Sequence, residues 1–389
     1  MKKFMNKVDD ILAESLSGFA LAHADLVKLH VNPSFLTRAD TQHSDLKNKN
    51  LENISPENAS IHDHIIANVE FSNLKNPLTL NTKKQNKVAI ISGGGSGHEP
   101  LHAGYIGYGM LDAACPGHIF TSPTPDQIIA AANAVHAGAG VLFIVKNYAG
   151  DVMNFEMAAE LLPAELLPAE LLPGATVPIQ SETVLTSDDC AVVNSTYTTG
   201  RRGVAGTIIV EKCVGSLAET GANLEDCKIF GDYINARCAT MGVALTSCTV
   251  PAAGRPTFDL LKTEIEMGVG IHGEPGRKRE PMREADSIIE DCIKTILADL
   301  KNRGFDTNAE ALIIINGFGA TPLMELYLIF NTAAQLLAKA GVTIKRQLVG
   351  NYVTALDMAG FSITVCLIDD KIKQHWDSPV HTAALRWGC

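Results

Sequence analysis

The chain has 389 residues, of which 46% are hydrophobic and 19% charged, and it carries a formal net charge of -11. That length accommodates two globular domains with substantial cores, and the acidity disfavours nucleic acid and anionic membrane surfaces as partners, leaving a small molecule as the expected ligand. Nine cysteines without a C-x-x-C pair fit reduced thiols in a cytoplasmic protein, Asp9, Asp10 and Glu14 interrupt the apolar run a leader would need, and no stretch is long and apolar enough to span a bilayer.

Residues 8–29 repeat apolar side chains at intervals of three and four, which predicts an amphipathic helix. Residues 43–86 turn to Asn, Lys, Ser and Thr around Pro56 and Pro77, a composition that buries little and predicts a surface excursion. Strand-like runs follow at Val88–Ile91, Leu111–Ala114 and Val141–Val145, with a helical stretch at Pro125–Ala137 between the last two, the alternation of a parallel sheet covered by helices. Residues 159–173 are three copies of Ala-Glu-Leu-Leu-Pro. Proline at every fifth place predicts a short helix running into a kinked loop, a tandem duplication on the surface or a docking element for a partner. The apolar run Val204–Val210 precedes a helical stretch ending near Thr220, and a second helix, Leu224–Met241, leads into a strand at Val243–Thr249. Helices at Ala285–Asn302 and Pro322–Ala340 then alternate with strands at Ala311–Ile315, Thr343–Leu348 and Ser362–Ile368. The expected fold class is α/β, with two α/β domains, residues 1–235 and 236–389, each a central sheet covered by helices.

The segment Lys87–Pro100, K-V-A-I-I-S-G-G-G-S-G-H-E-P, carries the strongest functional signal. An apolar strand empties into Gly93, Gly94, Gly95 and Gly97, whose bare backbone can approach a ligand closely, and Ser96, His98 and Glu99 add polar groups at the loop's exit. Gly268–Gly276, G-V-G-I-H-G-E-P-G, repeats the theme around His272, so one site built from two loops is expected. Lys146 and Asp151 follow the strand Val141–Val145 at its carboxyl end, the edge where open α/β sheets bind ligands. The imidazole of His272, loosely surrounded by glycine, can serve as nucleophile, base or hydrogen-bond donor.

Three familiar motifs fail on context. His98-Glu99-Pro100-Leu101-His102 spells the zinc-hydrolase pattern H-E-x-x-H, but that pattern needs a continuous helix, and here a glycine loop precedes it and Pro100 interrupts it. No Gly-Lys dipeptide exists to form a nucleotide-triphosphate loop. A dinucleotide fingerprint would need glycine where His98 stands.

The motifs N-P-x-F-x-T-R-A-D (Asn32–Asp40), G-G-G-S-G-H-E-P (Gly93–Pro100), A-C-P-G-x-I-F-T-S-P-T-P-D (Ala114–Asp126), K-N-Y-x-G-D-x-x-N-F-E (Lys146–Glu156), G-R-R-G-V (Gly200–Val204), C-T-V-P-A-A-G (Cys248–Gly254), G-V-G-I-H-G-E-P-G, G-A-T-P-L-x-E-L-Y (Gly319–Tyr327) and L-D-M-x-G-F-S-I-T (Leu356–Thr364) occur in order. In these the chain resembles the dihydroxyacetone-binding subunit of dihydroxyacetone kinase over nearly its whole length. The resemblance implies that His272 adds to the ketone carbon of dihydroxyacetone as a covalent hemiaminal. Gly95, Ser96, Gly97, His98, Lys146 and Asp151 contact the substrate in the family's pattern, and His98, in preference to Asp151, accepts the proton of the hydroxyl to be phosphorylated. It further implies a homodimer with no cofactor or metal of its own. The donor sits on a separate nucleotide-binding subunit holding ADP and magnesium, recharged by a phosphohistidine protein of the phosphoenolpyruvate phosphotransferase system. Two rival readings keep the same capture chemistry: a non-catalytic paralogue that senses dihydroxyacetone for a transcription regulator, and a kinase subunit for a related ketose such as erythrulose. The 43–86 stretch and the Ala-Glu-Leu-Leu-Pro triplication depart from the family's pattern without removing a named site residue.

Overall fold

A computed structural model describes residues 3–39, 86–162, 178–191, 200–274 and 276–389. In the first half the elements are α1 (Ile11–Ala22), β1 (Val27–His30), β2 (Phe35–Arg38), β3 (Ala89–Ser96), β4 (Gly107–Tyr108), β5 (Ala113–Ile119), α2 (Pro125–Val135), β6 (Val141–Lys146), α3 (Ala149–Leu161), β7 (Ser181–Thr186), α4 (Thr207–Glu219) and α5 (Leu224–Asn235). The second half adds β8 (Cys238–Ala244), β9 (Glu264–Met267), β10 (Lys278–Pro281), α6 (Ala285–Asn302), β11 (Glu310–Gly317), α7 (Leu323–Lys339), β12 (Thr343–Gly350), β13 (Gly360–Leu367), α8 (Asp370–Asp377), β14 (Val380–Thr382) and β15 (Arg386–Trp387). The fold class is α/β, as expected.

Among the described residues, two six-stranded sheets organise the chain. The first has the order β1-β2-β5-β3-β6-β7, parallel from β5 through β7 with an antiparallel β1–β2 edge. Every residue of β3 and β6 is buried, which explains why both read as unbroken apolar runs rather than alternations. From β3 the chain passes to β5 on one side, and the next strand, β6, lies on β3's other side. The carboxyl ends of β3 and β6 therefore flank the switch in strand order where such sheets open a crevice. Helix α2, which leads into β6, is started by Thr124, whose peptide N–H donates to Gln127 Oε1 at 3.0 Å in a capping box, with Pro125 in the first turn.

The second sheet, β10-β9-β8-β13-β11-β12, is antiparallel except for the β11–β12 pair. The C-terminal strands β14 and β15 form a small third sheet with β4, tying the end of the chain back to the first half.

Three sequence readings need correction. The helix expected over 8–29 stops at Ala22, and its tail is strand β1, since Val27, Leu29 and their neighbours pair with β2. The helix expected through Met241 ends at Asn235, and β8 starts at Cys238, earlier than the expected Val243, because all seven of its residues are buried between β9 and β13. The strand β7 and the short strands β9 and β10 at one side of the second sheet carried too little apolar pattern to be read. Residues 40–85, most of the 43–86 stretch, and residues 163–177, which hold most of the triplicated segment, lie outside the described residues.

Candidate functional site

The two glycine loops meet. Strand β3 delivers Gly97 and His98 to the crevice, and the segment Thr354–Leu356 between β12 and β13 grips them: Leu356 N donates to Gly97 O at 2.9 Å and Thr354 N to His98 O at 3.2 Å. The loop between β9 and β10 brings His272 from the other sheet, and the two imidazoles touch, Nε2 to Nε2, at 3.1 Å with their planes at 89°. Phe120 stacks on His98 at 4.9 Å between ring centroids, and Tyr148 packs its ring against His272 at 4.4 Å.

This geometry sets the tautomers. His98 Nδ1 lies 2.8 Å from the carbonyl oxygen of Thr354, which can only accept, so Nδ1 carries the hydrogen. Both histidines stay neutral. Burial, the neighbouring His272 and Lys146 hold His98 well below the usual imidazole value, while burial, Lys146 and Arg202 lower His272 to about 3. Neutral His98 thus offers the Nε2 lone pair, His272 donates from its own Nε2, and His272 Nδ1 is left buried without a hydrogen-bond partner.

Lys146 ends β6 and Asp151 sits in the first turn of α3, where the helix dipole favours a carboxylate. Their charged atoms are 3.7 Å apart, both buried. Burial raises the Asp151 carboxyl, opposed by Lys146 and a hydrogen bond from Ser122, and burial lowers the Lys146 ammonium against the pull of Asp151 and Glu211. A Cβ on Gly94 would stand 2.3 Å from Lys146 Nζ, so glycine there is what admits the ammonium to the loop. Gly97 adopts φ +104°, and a Cβ would press on Phe120 and Leu356. The Ser96 hydroxyl donates its hydrogen to Gly117 O at 2.7 Å, so any contact it makes with a ligand uses the oxygen's lone pairs or the backbone. Gly95 packs against the backbone of Phe120 and Thr121, which a Cβ would approach within 2.7 Å.

The second histidine of the H-E-x-x-H pattern has other work. No helix runs through His98–His102. Lys146 Nζ donates to His102 Nε2 at 2.8 Å, and His102 Nδ1 lies 2.7 Å from Glu211 Oε1 and 2.9 Å from Ser92 Oγ. Both ring nitrogens are thereby committed, and the zinc-hydrolase reading falls with them. Glu211 on α4 is buried, which pushes its carboxyl up to about 8 against the Ser92 hydrogen bond and Lys146. Sequence reasoning singled out neither Tyr148, Phe120, Glu211 nor Thr354. Tyr148 and Phe120 stood inside quoted motifs, whereas nothing local marks Glu211 or Thr354.

The Dak1 domain matches residues 61–384. The chain belongs to that family. The dihydroxyacetone-binding subunit of the PEP-dependent dihydroxyacetone kinase of Escherichia coli is 41% identical over 100% of both chains, placing the chain with the phosphotransferases of this type. D-erythrulose kinase of Mycolicibacterium smegmatis is 37% identical over 79% of this chain and 50% of its own length. Among solved structures, the dihydroxyacetone kinase operon co-activator Dha-DhaQ superposes with a TM-score of 0.76 at 28% identity, covering 97% of this chain and 98% of the other. Among the described residues no helix is long and apolar enough to cross a membrane.

Proposed function

We propose that the chain captures dihydroxyacetone as a covalent hemiaminal on His272 and presents a hydroxyl for phosphorylation by a donor held on a separate subunit. The observation that carries this reading is the meeting of a neutral, half-buried His272 with His98, Lys146 and Asp151 at one crevice. Only a ketone or aldehyde can be captured by a ring nitrogen, so a triose with a carbonyl is retained and glycerol, with the same hydroxyls and none, is not. His98 takes the hydroxyl proton, since its Nε2 lone pair faces the nitrogen to which the substrate becomes attached. Asp151 and Lys146 orient the opposite end of the triose. Phosphoryl transfer asks mainly for alignment and charge neutralisation, so a tethered substrate needs only a docked donor. The donor subunit holds ADP and magnesium and is recharged by a phosphohistidine protein of the phosphotransferase system. The chain works as a cytoplasmic homodimer of two α/β domains divided near residue 235, and binds no cofactor itself.

The likeness to the operon co-activator favours a second reading, a sensor that keeps the capture site and omits transfer. His98 and Asp151 beside His272 favour catalysis. The erythrulose kinase relative makes a four-carbon ketose the competing substrate. The test is H272A, scored for binding of dihydroxyacetone and for product formation with the partner subunits. At least a hundredfold loss of both is expected, and parental affinity and turnover refute the covalent role.

A further inference from the structure

Behind His272 lies a buried polar knot to which the reading above gives no part. Arg202 donates from Nε to Asp189 Oδ2 at 2.5 Å and from Nη2 to the carbonyl of Gly268 at 2.8 Å, while its Nη1 stands 3.3 Å from Glu274 Oε1. Glu274 Oε2 accepts the peptide N–H of His272 at 2.9 Å. One guanidinium from the first half of the chain therefore holds the His272 loop at its start and, through Glu274, at its catalytic end. A Cβ on Gly270 would come within 2.1 Å of Glu274 Oε1 and 2.6 Å of Arg202 Nη1, so the loop closes over this pair only because Gly270 has none. Four atoms of the knot, His272 Nδ1, Glu274 Oε1, Arg202 Nη1 and Tyr148 Oη, are buried without a hydrogen-bond partner. Orphaned polar atoms are rare inside proteins, and a group of them calls for a physical explanation.

Resting on the assignment of His272 as the capturing residue, we propose that Glu274, held by Arg202, is a positioning residue for ketone capture, accepting the Nδ1 hydrogen of His272 in the tautomer whose Nε2 attacks. In the resting site the hydrogen is on Nε2, bonded to His98, and that nitrogen has no lone pair to give. Moving the hydrogen to Nδ1 frees the Nε2 pair and requires an acceptor on the far side of the ring, which the carboxylate supplies. The Nε2 pair then forms the bond to the ketone carbon, the carbonyl π pair passes to its oxygen, the Glu274 carboxylate takes the Nδ1 proton, and the alkoxide takes a proton from water, to which Glu274 returns its own. With water as the proton carrier, atoms and charge balance. The buried Arg202 also disfavours a charged imidazole, keeping the nucleophile neutral.

The experiment titrates [2-13C]dihydroxyacetone into the parent protein, E274Q, R202K and H272A, and follows the protein-bound tetrahedral carbon by NMR beside a thermal melt of each. Glutamine keeps an oxygen for the His272 peptide N–H and cannot take a proton. E274Q is expected to melt near the parent and to lose the bound signal at least tenfold, with R202K losing it severalfold. Parental capture in a folded E274Q or, should E274Q not fold, in a folded R202K overturns the proposal. H272A separates the two layers: its bound signal is expected to vanish, and if it persists the covalent role of His272 itself falls, whereas a silent H272A beside a fully capturing E274Q sinks the Glu274 role alone.

Discussion

At Gly97-His98-Glu99-Pro100 the glutamate carboxylate accepts the peptide N–H of Gly97 at 3.0 and 3.1 Å, and the residue is exposed. At His272-Gly273-Glu274 the glutamate makes the same bond two residues back, to the N–H of His272, but it is 4% exposed and lies against Arg202. Two loops of near-identical wording thus fold with the same local hydrogen bond in opposite dielectric settings. In water such a carboxylate closes a turn and contributes little. Under the protein it needs a buried cation, and that cation ties the loop to a distant part of the chain and biases the imidazole beside it.

Substitutions that separate the loops test this contrast, beginning with the largest expected effect. Glu274→Ala leaves Arg202 Nη1 facing no carboxylate and is expected to cost about 3 kcal/mol in urea unfolding, in the range for breaking a buried pair. Next comes the histidine. The unfolded chain protonates His272 near pH 6.5 and the folded chain only near pH 3, so its contribution to stability is complete above pH 6.5 and is lost as pH falls from there towards 3. Between pH 4 and 6, His272→Asn is expected to flatten the stability profile by about 1.4 kcal/mol per pH unit. An unchanged slope would mean that the imidazole is hydrated rather than buried. Gly97→Ala forces a side chain into φ +104° against Phe120 and Leu356, with an expected cost of roughly 1–3 kcal/mol. Glu99→Ala, the exposed counterpart of the first variant, is expected to cost about 1 kcal/mol or less, and a loss matching that of Glu274→Ala would erase the distinction between the loops.

Much of this was legible in the chain itself. Unbroken apolar runs marked the start of β3 and nearly all of β6, the glycines expected as a loop proved to be the last residues of β3 and the turn after it, and the repeated His, Glu and Pro after glycine pointed to a composite site that the two imidazoles make at 3.1 Å. Helix α6 was placed at Ala285–Asn302 because its apolar face keeps a clean helical period and its charges fall on the other side. What stayed hidden depends on distance along the chain. Arg202 and Glu274 are far apart in sequence, and no spacing rule links them. His102 matched a metal motif because local spelling cannot reveal that its ring lies between Lys146 and Glu211. The antiparallel pairing of the second sheet was also invisible, since helices alternate with strands along much of that half as well. Strand β1 was lost inside a helical reading because four residues at a helix's end carry too few positions to distinguish a period of two from one of 3.6.

In the proposed reaction this crevice presents a captured triose to a donor on another chain. Dihydroxyacetone phosphate formation by the purified protein tests it most directly, comparing ATP alone with the cognate nucleotide-binding subunit and its phosphorelay. Product is expected only when the subunit and relay are present. Tight ketone binding with no product under either condition would contradict it and leave the crevice as the receptor of a sensor.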